Sequence, residues 1–125
     1  MHENEISYAI RGAAFKVHTE LGPGLLESVY ETALAYELRR EGLEVKTQLC
    51  IPVMYNEIKM EQGFRMDLLV NSKVIVEIKS VEVLLDVHHK QLLTYLKLSK
   101  RKLGLLINFN SSSLRNSITR IVNGL

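Results

Sequence analysis

A chain of 125 residues with a net charge of +2 and 46% apolar residues has the size and composition of one globular domain. That balance excludes a disordered chain, and the charge is too small to argue for nucleic acid by itself. With no Trp and one cysteine, Cys50, aliphatic side chains must fill the core and no internal disulfide can staple it.

Met1 to Glu5 leads into an amphipathic pattern rather than a signal-peptide stretch. The longest apolar runs fall far below the roughly 18 residues of a membrane span. A soluble, cytoplasmic protein with no membrane partner is expected, and residues 1–125 read as a single domain.

Ile6, Ile10, Ala13, Val17 and Leu21 recur at helical spacing, which predicts an amphipathic helix over residues 4–20. Gly22-Pro23-Gly24 breaks it. A second helix is predicted from Leu25 to Glu41, with Leu26, Val29, Tyr30, Ala33, Leu34 and Leu38 as its apolar stripe. Gly42 suits the position just past its C-terminus. Val45 to Tyr55 alternates around Pro52, which favours an edge strand or an irregularity there. Cys50 lies in this run and is expected as a buried thiol. Asn56-Glu57 reads as a turn into a strand from Ile58, with a break near Gly63.

The next hairpin is the most informative segment. Phe64-Arg65-Met66-Asp67-Leu68-Leu69-Val70 and Val74-Ile75-Val76-Glu77-Ile78-Lys79 flank Asn71-Ser72-Lys73. Two acids and a lysine interrupt good strand sequence. Burying such charges is costly unless they are paired or hold a metal. A two-residue turn at Asn71-Ser72 would put Asp67 opposite Val76 and leave the two acids on different faces. A three-residue loop pairs Val70 with Val74 and Asp67 with Glu77. The second register also faces Arg65 with Lys79 and gathers Met66, Leu68, Val76 and Ile78 on an apolar face, so it is the expected one. Two carboxylates side by side repel unless a cation lies between them. Magnesium suits an oxygen-only site. The competing reading is a cross-strand ladder of surface charges.

A third helix is predicted from Val83 or Asp86 to Ser99. Gln91 and Tyr95 share one of its faces, and His88 lies three residues before Gln91 on the same face. Tyr95 could equally be a core aromatic with a wet hydroxyl, and His88 and His89 surface histidines. Adjacent helical residues point about 100° apart, which disfavours a His88-His89 metal pair. Lys97, Lys100, Arg101 and Lys102 form a small basic cluster, readable as a solvated helix end or as a phosphate contact. Leu103 to Ile107 is nearly all apolar and suits a strand covered on both faces. Ser113 to Val122 is predicted as a short terminal helix. The order α-α-β-β-β-α-β-α describes an α/β protein with a mixed sheet. Glu27 near the start of the second helix is explained by helix-dipole stabilisation alone, although it is also placed to point at the sheet. His18 could approach the side of the sheet that carries Asp67 and Glu77 or act as a helix-end cation.

Gly24-Leu25-Leu26-Glu27-Ser28-Val29-Tyr30 resembles the signature of the GxxExxY proteins, a branch of the PD-(D/E)XK nuclease superfamily. The resemblance continues through Arg65-Met66-Asp67-Leu68-Leu69-Val70, Glu77-Ile78-Lys79-Ser80-Val81-Glu82, Gln91-Leu92-Leu93-Thr94-Tyr95-Leu96 and Gly104-Leu105-Leu106-Ile107-Asn108-Phe109-Asn110. It covers nearly the whole chain in order. The one departure is Met66, where the superfamily's motif carries Pro.

The resemblance implies a restriction-endonuclease-like core, a four-stranded mixed sheet flanked by helices in the order α-β-β-β-α-β, here with an extra N-terminal helix. It implies that Asp67 is the central Asp, Glu77 and Lys79 the (D/E)-x-K element, Glu27 the acid of the first core helix, and Gln91 and Tyr95 a Q-x-x-x-Y motif. The activity it implies is Mg2+ (or Mn2+)-dependent hydrolysis of phosphodiester bonds, with DNA as the expected partner. The metal ligands would be Asp67, Glu77, the Ile78 carbonyl and Glu27. Lys79 would orient or activate water, and Gln91 and Tyr95 would position the phosphate or Lys79. The alternative function is a nuclease-fold adaptor that binds nucleic acid or a protein without catalysis. The small charge and size favour a homodimer or a protein partner for substrate grip.

Overall fold

The computed structural model describes all 125 residues. In chain order the elements are α1 (Glu3–Leu21), α2 (Glu27–Arg40), β1 (Val45–Tyr55), β2 (Ile58–Val70), β3 (Val74–Lys79), α3 (Asp86–Ser99), β4 (Leu103–Asn108) and β5 (Ile118–Val122). A single 3-10 turn, Leu114–Asn116, precedes β5. No helix is long and apolar enough to cross a membrane.

The five strands lie in sequence order in one sheet. β1–β2, β2–β3 and β4–β5 pair antiparallel, and β3–β4 pair parallel through the α3 crossover. The sheet therefore has five strands rather than four, and the terminal segment is a strand rather than a helix. Ile118, Thr119, Ile121 and Val122 are β-branched and favour a pleated surface. Pairing them with β4 also removes the edge that β4 would otherwise present.

Helices cover both faces. On one side α1 and α2 bring Ile6, Ile10, Val17, Leu34 and Leu38 against Val74, Val76, Leu103 and Leu105. On the other, Leu92 and Leu96 of α3 pack with Phe64, Met66, Leu69, Ile75 and Leu106. β4 is buried along its whole length, as its apolar run requires. α3 lies so close that a Cβ on Gly104 would come within 2.9 Å of the Leu92 side chain.

The α1–α2 connection is held by Tyr30 and Ser80. Tyr30 is fully buried and stacks on Phe109 with ring centroids 4.4 Å apart. Its hydroxyl donates to the Gly22 carbonyl at 2.6 Å and accepts from the Leu25 N–H at 3.1 Å. Ser80, just past β3, donates to the Leu25 carbonyl at 2.6 Å. The N-terminus of α2 is thus tied to the C-terminal end of β3.

Two local expectations change. Cys50 is exposed, because β1 lies at the sheet edge and its outer positions have no covering helix. Met66 leaves the face of Leu68, Val76 and Ile78 and packs on the α3 side instead. The change of face falls beside Asp67, across from Gln48 of β1, whose φ is 50°. The β1–β2 register also shifts between Ile51 and Val53, at Pro52 and across Gly63, as the proline and glycine suggested.

Candidate metal centre at the parting of β2 and β3

The hairpin register is Val70 opposite Val74, Leu69 opposite Ile75 and Leu68 opposite Val76. Asn71 and Ser72 adopt φ 50° and 58°, left-handed conformations that short polar residues tolerate, and the Lys73 N–H closes the turn by donating to the Val70 carbonyl at 3.0 Å. Asp67 and Glu77 are the next pair in this register. Backbone pairing stops short of them. Beyond it β2 continues with β1, while Glu77, Ile78 and Lys79 continue with Leu106, Ile107 and Asn108 of β4.

Where the strands part, the carboxylates replace the ladder. The Glu77 Oε2 accepts from the Asp67 N–H at 3.0 Å, and the Asp67 Oδ2 accepts from the Ile78 N–H at 2.9 Å. Both amides would otherwise lack a cross-strand partner. Glu77 is buried and Asp67 half-buried. Burial first, then the Asp67 charge beside it, pushes the Glu77 carboxyl up to about 8. The hydrogen bond from the Asp67 N–H and the Lys79 charge oppose that rise without cancelling it. Without a cation, burial and the neighbouring charge favour the protonated form of Glu77.

Lys79 is half-buried next to Glu77 in β3 and makes no ion pair. Tyr95 of α3 stacks on Phe64, with ring centroids 4.3 Å apart. Its phenol is raised by burial and then by the fields of Glu77 and Asp67. Gln91, one turn earlier, is exposed.

Glu27 is exposed as the first residue of α2, a helix with no side-chain cap bond at Leu26. The α2 acid whose field meets Asp67 is Glu31. Its carboxyl is raised by burial, lowered by a Gln48 hydrogen bond, raised by Asp67 and lowered by Arg65. Gln48 Nε2 donates to Glu31 Oε1 at 2.5 Å and reaches Asp67 Oδ1 at 3.4 Å. Sequence reasoning missed Glu31 and Gln48. The available signal for Glu31 was its position one turn after Glu27 on the same helix side. For Gln48 there was none, since its role comes from pairing between distant strands.

Asn108 is a further residue that the sequence left without a role. It is buried, its side chain accepts from the Val81 N–H at 3.1 Å and donates to the Val81 carbonyl at 2.9 Å. It thereby fixes the segment leaving Lys79. The histidines hold backbone groups: His18 Nε2 meets the distant Ser111 carbonyl at 2.7 Å, and His88 Nδ1 accepts from the nearby Leu85 N–H at 3.0 Å. A concavity of about 730 Å3 lies elsewhere, between α1 and α2, and contains none of these groups.

The donor chemistry fits a hard divalent cation. Two carboxylates crowd one spot and offer only oxygen ligands, and the charge of a cation would offset the burial and repulsion that raise Glu77. No third His, Cys, Asp or Glu completes a ligand cluster, so the remaining positions fall to backbone carbonyl, water or substrate. Magnesium is commonly held in this way, through one or two carboxylates.

A mixed sheet flanked by helices, with an Asp on one strand facing a Glu-x-Lys on the next, defines the class as a nuclease-like α/β domain. A scan of protein-family models agrees: residues 4–121 match the PD-(D/E)XK nuclease superfamily. The chain belongs to that superfamily. Its nucleases usually use divalent metals. No curated protein and no solved structure matches the chain significantly.

Proposed function

We propose that this protein is a Mg2+- or Mn2+-dependent nuclease of the GxxExxY branch that hydrolyses phosphodiester bonds in DNA. The observation that carries the reading is the facing pair Asp67 and Glu77 at the point where β2 and β3 part. Two acids that take over backbone hydrogen bonds, one of them buried beside the other's charge and raised for it, support a role beyond structure.

In this reading Asp67, Glu77 and the Ile78 carbonyl would hold the cation, and Glu27 would reach it through water from the α2 N-terminus tied beside β3. When bound, a divalent ion supplies charge that polarises the phosphate and acidifies water. Lys79 orients the attacking water and offsets charge developing on the phosphate. As an ammonium it cannot be a metal ligand. Tyr95 and Gln91 position the phosphate by hydrogen bonds from α3, with the Tyr95 ring held by its stack on Phe64. A second copy or a protein partner supplies grip that a net charge of +2 does not.

The test is titration with Mg2+ and Mn2+, followed by incubation with single- and double-stranded DNA and RNA, linear and circular. Metal binding with metal-dependent cleavage supports the reading. Metal binding with no cleavage of any of them converts it to the adaptor alternative.

A further inference from the structure

Five non-glycine residues have positive φ. Asn56, Asn71, Ser72 and Lys100 lie in turns or just past a helix, where such conformations are ordinary. Gln48 alone is inside a strand. It stands between the pairs Thr47–Leu68 and Leu49–Met66, directly across from Asp67. A left-handed backbone is unfavourable for a long side chain and persists only where surrounding contacts hold it.

The side chain shows what that conformation achieves. The Gln48 amide lies between two carboxylates from different layers, donating to Glu31 of α2 and reaching Asp67 of β2. Those acids repel, as the effect of Asp67 on Glu31 shows. A neutral donor placed between them quiets that repulsion and leaves Asp67 Oδ2 to the Ile78 N–H. Asp67 is then held at both oxygens, one by the neighbouring strand and one by the amide.

We propose that Gln48 is a positioning residue for the cation site, orienting the Asp67 carboxylate through an amide latch anchored on Glu31. The inference rests on the reading of Asp67 and Glu77 as cation ligands. A simpler account of Gln48 is available: its left-handed backbone merely redirects β1 so that Leu49, Ile51 and Val53 pack toward α3. The two accounts separate when the backbone conformation is kept and the amide removed. Glycine adopts positive φ freely, so Gln48→Gly retains the bend and deletes the latch.

The experiment is Mn2+ titration by calorimetry together with thermal melting of the metal-free protein, on wild type, Gln48→Gly, Gln48→Asn, Glu31→Ala and Glu31→Gln. For Gln48→Gly the expected result is a melting temperature equal to or above wild type with Mn2+ affinity down roughly tenfold, the scale of loss when a ligand's orienting partner is removed. Gln48→Asn keeps an amide on a residue that tolerates positive φ, so it should fall between the two. Glu31→Gln preserves an acceptor for the amide and should bind Mn2+ like wild type, whereas Glu31→Ala should lose affinity. Unchanged affinity in Gln48→Gly overturns the inference, and so does a lower melting temperature, which would make Gln48 a structural residue. Equal losses in Glu31→Gln and Glu31→Ala overturn it too, by making Glu31 a ligand rather than an anchor. No Mn2+ binding by wild type overturns the site reading itself, an outcome distinct from binding that ignores Gln48.

Discussion

The β2–β3 hairpin has two ends made of similar sequence and opposite chemistry. Near the loop, Leu68 to Val70 and Val74 to Val76 are buried, pair by backbone hydrogen bonds and press on helices from both sides. One step further, Asp67 and Glu77 occupy the same register, but the strands separate and the carboxylates take over the amides. The first end is stabilised by removing apolar surface from water. The second is held by hydrogen bonds to groups that repel each other. The same ladder thus contributes stability at one end and a poised pair of acids at the other.

The sharpest way to break this comparison is Asp67→Ala. Metal-dependent cleavage should fall by about a thousandfold, because a charge worth several kcal/mol to the reaction loses its anchor. Circular dichroism should show the fold retained, and calorimetry should show cation binding lost. Equal cleavage by wild type and variant would place any nuclease activity outside this site.

At the other end, Leu68→Ala should cost about 2–5 kcal/mol of stability, since Leu68 is fully buried and the sheet around it cannot collapse into the gap. Chemical denaturation measures this. The folded fraction should still bind cation as wild type does. A loss of cation affinity at full folding would show that the two ends are not independent.

Protonation offers a third test. Glu77 is raised from 4.5 to about 8 in the folded chain, mainly by burial and then by Asp67. The folded state therefore keeps a proton that the unfolded chain releases. Stability from this group is present below about pH 4.5 and is lost as pH rises toward 8, with a slope of about 1.4 kcal/mol per pH unit at most. Urea unfolding of the metal-free protein across this range should show the decline, and Glu77→Gln should flatten it. Saturating Mg2+ should also remove it, because the cation replaces the proton.

Smaller effects come from the flanks. Lys79→Ala should reduce turnover by roughly a hundredfold, the scale of a lost charge-stabilising donor, with cation affinity unchanged or slightly higher. Lost affinity in that variant would sink the role assigned to Lys79. Tyr95→Phe keeps the stack on Phe64 and deletes only the hydroxyl. It should change stability by less than about 1 kcal/mol while slowing cleavage several-fold, read as kcat at saturating substrate.

The hairpin register, the two amphipathic N-terminal helices, the α3 crossover and the doubly covered β4 were all determined by the sequence itself. Each depends on local periodicity: alternate residues share a strand face, and residues three or four apart share a helix face. The Asp67–Glu77 pairing is legible for the same reason, since only a three-residue loop sorts the polar residues from most of the apolar ones. Tertiary structure alone decided the rest. Ser113 to Val122 has a pattern short enough to suit either helix or strand, and the open edge of β4 selects the strand. Cys50 looks buried by its neighbours but stands on an edge that nothing covers. Glu31 and Gln48 reach Asp67 only because α2 crosses the β1–β2 pair and Gln48 departs from strand geometry. Periodicity reports which residues share a face of one element. It carries no information on which elements meet, and the parts of the site that sequence reading missed are those assembled from three of them.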